Sequence, residues 1–166
     1  RNLGARHLFF LDDDVLPPDD AFMANQMVNR LLSWRLPLVS GVYWSKQGYT
    51  AAWVRHVNTQ GDIPGYRDLV QWQDDRLIEV DVVPMGCCLI DMRVFDAIDD
   101  PWFVWTKKDT AIGGFSEDFD FCRKVIAAGF KIYLDTGVRC RHESLLAMDP
   151  RGKFTVKDSS LEVPVK

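Results

Sequence analysis

The order of apolar and polar positions along the chain reads as strands alternating with helices. His7-Leu8-Phe9-Phe10-Leu11 is an apolar run without alternation, which predicts a short strand covered on both faces. It stops at Asp12-Asp13-Asp14, and Pro17-Pro18 delays any helix until Asp19 or Asp20, either of which can cap it. Phe22, Met23, Met27, Leu31 and Trp34 then recur on one helical face. Pro37 ends that pattern, and 38–44 predicts the next strand. A turn over 45–49, a short strand over 51–57 and a polar loop over 59–68 follow.

The second half repeats the theme. Residues 77–83 alternate as a half-buried strand, 86–90 suits another, and 92–98 suits a short helix capped by Asp91. Residues 101–115 mix aromatics, polar residues and Gly113-Gly114, the composition of a mobile loop. Ser116 is placed to cap a helix running to Ala128, with Gly129 at its C′ position. Strands are predicted over 131–135 and 138–141. A polar tail with weak strand character begins at Met148, so 1–147 reads as the domain and 148–166 as a tail. The alternation predicts an α/β fold with a mostly parallel, mixed sheet flanked by helices. Ligands of such sheets bind beyond the carboxyl ends of strands, where Asp12 to Asp14 fall.

Composition narrows the class. The 166 residues are 47% apolar and 27% charged, which suits one ordinary globular core and not a disordered chain. The net charge of −4 gives no electrostatic footprint for nucleic acid. No apolar run approaches the ~20 residues of a membrane-spanning helix. Cys87, Cys88, Cys122 and Cys140 show no zinc spacing and are too few for a disulfide scaffold. They read as buried reduced thiols, and the expected location is cytoplasmic.

Four features carry candidate chemistry. Carboxylates at a strand end suit Mg²⁺ or Mn²⁺, which take one or two protein carboxylates and complete their shells with water and phosphate oxygens; a solvated acidic turn has the same sequence. Glu117 and Asp118 suit either dipole-favoured positions in a first helical turn or a general base on a rigid helix start. His142 follows a strand and matters if the fold returns it to the aspartates. Trp102, Phe103, Trp105 and Trp44 suit stacking on sugar faces or core packing.

Taken in order, these pieces resemble a nucleotide-sugar glycosyltransferase of the inverting, family 2-like branch of the GT-A fold. The resemblance rests on the apolar strand ending in Asp12-Asp13-Asp14, on Gly86-Cys87-Cys88-Leu89-Ile90, and on Cys140-Arg141-His142. Its most specific part runs from Ser116-Glu117-Asp118-Phe119-Asp120 through Ala128-Gly129-Phe130 to Asp135. Arg1-Asn2 is similar to the pair that precedes the acidic strand, and the likeness covers residues 1–144. It implies Asp12, Asp14 and His142 as metal ligands for Mn²⁺ or Mg²⁺, and Asp118 as catalytic base beside Glu117. It also implies Asp12, Asp13, Gly86 and Trp105 facing a nucleotide-diphosphate sugar donor. The acceptor would be a hydroxyl of a glycan, lipid or protein. The strand-helix units that grip the nucleotide base have no counterpart here, so the chain matches the later portion of the fold.

Two other readings compete. Phe10-Leu11-Asp12-Asp13-Asp14-Val15 is also similar to the first motif of haloacid dehalogenase-like phosphatases, with Lys131 and Asp135 as poor stand-ins for the remaining machinery. A non-catalytic sugar- or metal-binding remnant is the other.

Overall fold

The computed structural model describes residues 4–44, 52–55, 65–69, 71–106, 116–143, 146–148 and 154–156. Its centre is a five-stranded mixed sheet in the order β1-β7-β3-β8-β6. These strands are β1 (His7–Leu11), β3 (Leu38–Val42), β6 (Leu77–Val80), β7 (Cys87–Asp91) and β8 (Ile132–Arg139). Of its four pairings, only β3 with β8 is parallel; β1–β7, β3–β7 and β6–β8 are antiparallel.

The expectation of a mostly parallel sheet is therefore corrected. β6 and β7 each enter the sheet from the end towards which β1, β3 and β8 run, with Leu77 opposite Asp135 and Cys87 opposite Leu11, so each is antiparallel to its neighbours. Both strands run against the rest, and β7 fills the space between β1 and β3.

Three helices cover the sheet. α1 (Ala21–Ser33) is capped by Asp20, whose Oδ1 accepts from the Met23 N–H at 2.8 Å. It lays Met27 and Leu31 on one sheet face against Val39, Cys87 and Leu89. α2 (Met92–Ala97), capped by Asp91, and α3 (Glu117–Ala127) cover the other face. There Val94, Phe95, Phe121, Cys122 and Val125 pack on Leu38, Cys88, Ile90 and Leu134. Adjacent residues of β7 thus serve opposite faces, as the period of two requires. Gly129 ends α3 at φ +88°, a conformation costly for residues with a Cβ.

Details depart from the sequence expectation where position in the sheet decides burial. β1 is an edge strand, so Leu8 and Leu11 stay 41% and 42% exposed and it is not covered on both faces. Phe22 and Trp34 lie at the ends of α1 and are also exposed. Ser116 occupies the N-cap position without a side-chain cap bond; its carbonyl accepts from the Asp120 N–H instead. The two strands predicted over 131–141 are one longer strand, β8, followed by the two-residue β9 (Arg141–His142).

β9 pairs with β2 (Val15–Leu16); β4 (Trp53–Arg55) lies within the strand expected over 51–57 and pairs with β5 (Tyr66–Asp68), at the end of the segment expected to be loop. β10 (Leu146–Met148) pairs with β11 (Phe154–Val156) across the predicted boundary between domain and tail. Of the loop expected over 101–115, residues 107–115 lie outside the described residues, as does the turn expected over 45–49. No helix among the described residues is long and apolar enough to cross a membrane. All four cysteines are free and buried, as their composition suggested.

Candidate functional site

β1, β3 and β8 run in one direction, so their carboxyl ends gather at one edge of the sheet, and β7 starts there. The segments following these ends supply Asp12 to Asp14, Tyr43-Trp44 and Cys140 to His142. A crevice outside strand carboxyl ends is where α/β sheets hold ligands.

Gly86 is the pivot. Its carbonyl accepts the Asp12 N–H at 3.0 Å, and its own N–H donates to the Tyr43 hydroxyl at 2.7 Å. A Cβ there would collide with the Tyr43 hydroxyl and stand 2.8 Å from Asp12 Oδ2. Glycine at this position lets a tyrosine and a carboxylate close on the backbone from two sides. Burial raises the Tyr43 phenol far above its usual range, the Gly86 bond opposes this, and the Asp12 and Asp118 charges add to it. The phenol is therefore neutral.

Asp118 approaches the same place from the first turn of α3. Its Oδ2 accepts from the Met85 N–H, one residue before Gly86, at 3.3 Å. Burial is the largest cause of a pKa pushed up to about 6; the Met85 bond lowers it, while the charges of Glu117 and Asp12 raise it. Glu117 Oε2 is buried and has no hydrogen-bond partner among the described residues. Asp120, on the next residues of the turn, is engaged by Lys124 at 2.6 Å.

His142 is returned to the aspartates by the pairing of β2 with β9, which sets Val15 opposite His142. The Glu143 N–H donates to the Asp14 carbonyl at 2.7 Å, closing the same clip. His142 Nδ1 lies 2.9 Å from the Trp44 carbonyl, and a carbonyl accepts, so Nδ1 carries the proton. Nε2 then faces Asp14 Oδ1 at 3.5 Å. In the neutral ring, a lone pair and a carboxylate oxygen oppose each other, an arrangement that suits a shared cation. A histidine whose other nitrogen is fixed by a carbonyl is the usual orientation device of metal sites.

The structure thus brings together Asp12, Gly86 and Asp118 on one side, and Asp14 with His142 on the other. Asp12, Asp14 and His142 are not gathered as one group. Among the described residues, no set of three or more His, Cys, Asp or Glu side chains is placed to hold a metal ion. The fit to Mg²⁺ or Mn²⁺ is a two-residue one, within the one or two protein ligands that such ions take alongside water and phosphate. Asp13 is exposed on the turn, and Trp105 is 67% exposed. Phe103 is not a platform; it stacks on Phe121 at 4.4 Å as core. Trp102 packs its edge against Phe95. Lys131 pairs with Glu79, and Asp135 is enclosed by Arg30, so neither reaches Asp12 as a phosphatase would need.

Tyr43 was not singled out by sequence reasoning. Its one signal is a hydroxyl-bearing ring at the carboxyl end of an apolar strand, a position the fold reserves for the crevice. It also meets the His142 ring edge-on at 5.4 Å, linking the two halves of the site.

No family model matches the chain, and no curated protein matches it either. Among solved structures it is similar to the crystal structure of A197 from STIV, with 22% identity and a TM-score of 0.56. The match covers 98% of this chain and 71% of that one. A likeness at this identity bears on the fold alone.

Proposed function

We propose that the chain carries the catalytic portion of a metal-dependent glycosyltransferase, its sheet of the GT-A type and family 2-like. It would move a sugar from a nucleotide-diphosphate donor to an acceptor hydroxyl with inversion. The observation that carries this reading is Asp118, a carboxyl raised to about 6 that opens a helix beside Gly86 and Asp12 at the strand ends.

A base with that pKa is ionised at neutral pH and still basic enough to accept a proton in the transition state. Asp118 takes the proton of the acceptor hydroxyl as its oxygen forms a bond to the anomeric carbon. The bond from that carbon to the diphosphate oxygen breaks on the opposite face, and the electron pair leaves with the diphosphate. The unpartnered Glu117 Oε2 keeps the Asp118 carboxyl basic through its charge and is placed to orient the acceptor. Asp14 and His142 would hold the divalent ion, which when bound neutralises charge on the leaving diphosphate. Tyr43 and the Gly86 backbone fix where Asp12 stands.

The test is a thermal-shift panel of UDP-, GDP- and TDP-sugars with and without Mn²⁺. Stabilisation by one nucleotide class that depends on the metal is expected. Asp118→Asn should keep that stabilisation and abolish transfer. No shift with any donor would remove the reading, and loss of donor binding by Asp118→Asn would reassign the residue.

A further inference from the structure

Next to the Asp14–His142 pair, a cavity of about 220 Å³ is lined by Val42, Tyr43, Trp44, Trp72, Asp74, Arg139 and Cys140. Nothing in the site as described uses it. Trp44 and Trp72 form its aromatic wall, with ring centroids 5.0 Å apart and planes inclined by 39°. Trp44 keeps 45% of its surface exposed, a large cost in open apolar area for a residue that could pack. Arg139 is fixed from two directions. It pairs with Asp74 at 2.8 Å, and its Nε donates to the Thr136 carbonyl at 3.2 Å. The rim therefore offers guanidinium donors and carboxylate acceptors already held in place.

We propose that this cavity is a carbohydrate subsite that seats one sugar ring. The apolar face of a pyranose presents positively polarised C–H groups, which the negative face of an indole attracts. Its equatorial hydroxyls both donate and accept, which matches a rim holding Arg139 and Asp74. The volume is below the ~300 Å³ where drug-sized pockets begin and suits a single ring. A purely apolar ligand would leave the Asp74–Arg139 pair desolvated at its edge. The subsite is joined to the candidate centre through one residue, since the Trp44 carbonyl receives the His142 Nδ1–H. The binding stands on the cavity; its role as the acceptor seat rests on the transferase reading above.

The experiment is saturation-transfer NMR and tryptophan fluorescence on the whole chain, without metal. The probes are the methyl glycosides of glucose, galactose, mannose and N-acetylglucosamine, with uridine and guanosine as comparison ligands. Saturable binding of at least one glycoside is expected. Trp44→Ala should weaken it at least tenfold, Trp44→Phe within a few fold, and Arg139→Gln should weaken it at a rim position that leaves the aromatic wall intact. Absence of glycoside binding, or binding of the nucleosides in its place, would overturn the subsite. So would glycoside binding that survives Trp44→Ala, because the sugar would then sit elsewhere. A failed donor panel with retained, Trp44-dependent glycoside binding would remove the transferase reading and leave the subsite standing.

Discussion

Asp118 and Asp135 are both carboxyl groups drawn out of water near the sheet, and their surroundings are opposite. Asp135 is fully buried and receives four donors: Arg30 through two nitrogens at 2.8 and 2.9 Å, Trp34 Nε1 at 2.8 Å and the Gly137 N–H at 2.9 Å. Burial alone would raise its pKa, yet the Arg30, Trp34 and Gly137 bonds hold it below the ordinary carboxylate value. Asp118 has the long Met85 bond and two negative neighbours, so burial prevails and its pKa rises to about 6. The first carboxylate clamps α1 onto β8. The second is kept poorly satisfied beside a crevice, the state in which a carboxyl is useful to a ligand or a proton.

The same substitution at the two positions separates these roles, and the signs differ. Asp135→Asn should have the largest effect. It removes the nearer of the two carboxylates beside the Arg30 guanidinium and leaves it only the exposed Asp75 at 3.9 Å, at a cost on the order of 3 kcal/mol, read as a Tm lower by several degrees at pH 7. Because this pKa is lowered in the folded chain, the stabilisation exists above the ordinary carboxyl range and is lost as pH falls through the lowered value. The Tm gap between wild type and Asp135→Asn should therefore narrow in strong acid. An unchanged Tm at pH 7 would show that the four bonds clamp nothing.

Asp118→Asn should act in the opposite direction and more weakly. With its pKa raised on folding, protonated Asp118 is the favoured form, so its stability contribution is complete below the unfolded value near 3.8 and is lost as pH rises through about 6. At pH 8 the variant should be more stable than wild type by about 1–2 kcal/mol; at pH 4 the two should nearly coincide. A Tm profile across that range checks both limits, and a variant less stable at pH 8 would end the comparison. The smallest effect belongs to Glu79→Gln. The Lys131–Glu79 pair at 2.8 Å is exposed on both sides, and its loss should not move Tm measurably.

Much of the scaffold was legible because local chemistry decides it. Asp20 and Asp91 cap helices, Gly129 stops one, and the apolar period of α1 predicts the burial of Met27 and Leu31 at its centre. Strand direction was not legible, since it depends on the end at which the chain re-enters the sheet and not on the strands themselves; β6 and β7 enter from the end towards which β1, β3 and β8 run. Burial at ends and edges was misread too. Phe22, Leu8 and Leu11 have core-like periodicity, and their exposure follows from position in the assembled sheet.

Of the site, the carboxylates and His142 were readable as residues, and the return of His142 to Asp14 follows from a pairing between distant segments. Ser116 had a capping side chain in the capping place and makes no cap bond. Tyr43, Trp72, Asp74 and Arg139 carry no motif. Their meaning comes from the ends of β3 and β8 lying side by side.

The clip between β2 and β9 has a further consequence for how the molecule assembles. Two residue pairs, Val15 with His142 and Leu16 with Arg141, join segments far apart in the sequence, with α1 and four of the five central strands between them. Closing a loop that long is slow and is rewarded only once β8 has docked, so these contacts belong to the last steps of folding. The same shortness makes the clip an early place to open under native conditions. The Glu143 amide, bonded to the Asp14 carbonyl, is thus a reporter: its hydrogen exchange measures how often the two halves of the crevice part company while the rest of the sheet remains intact.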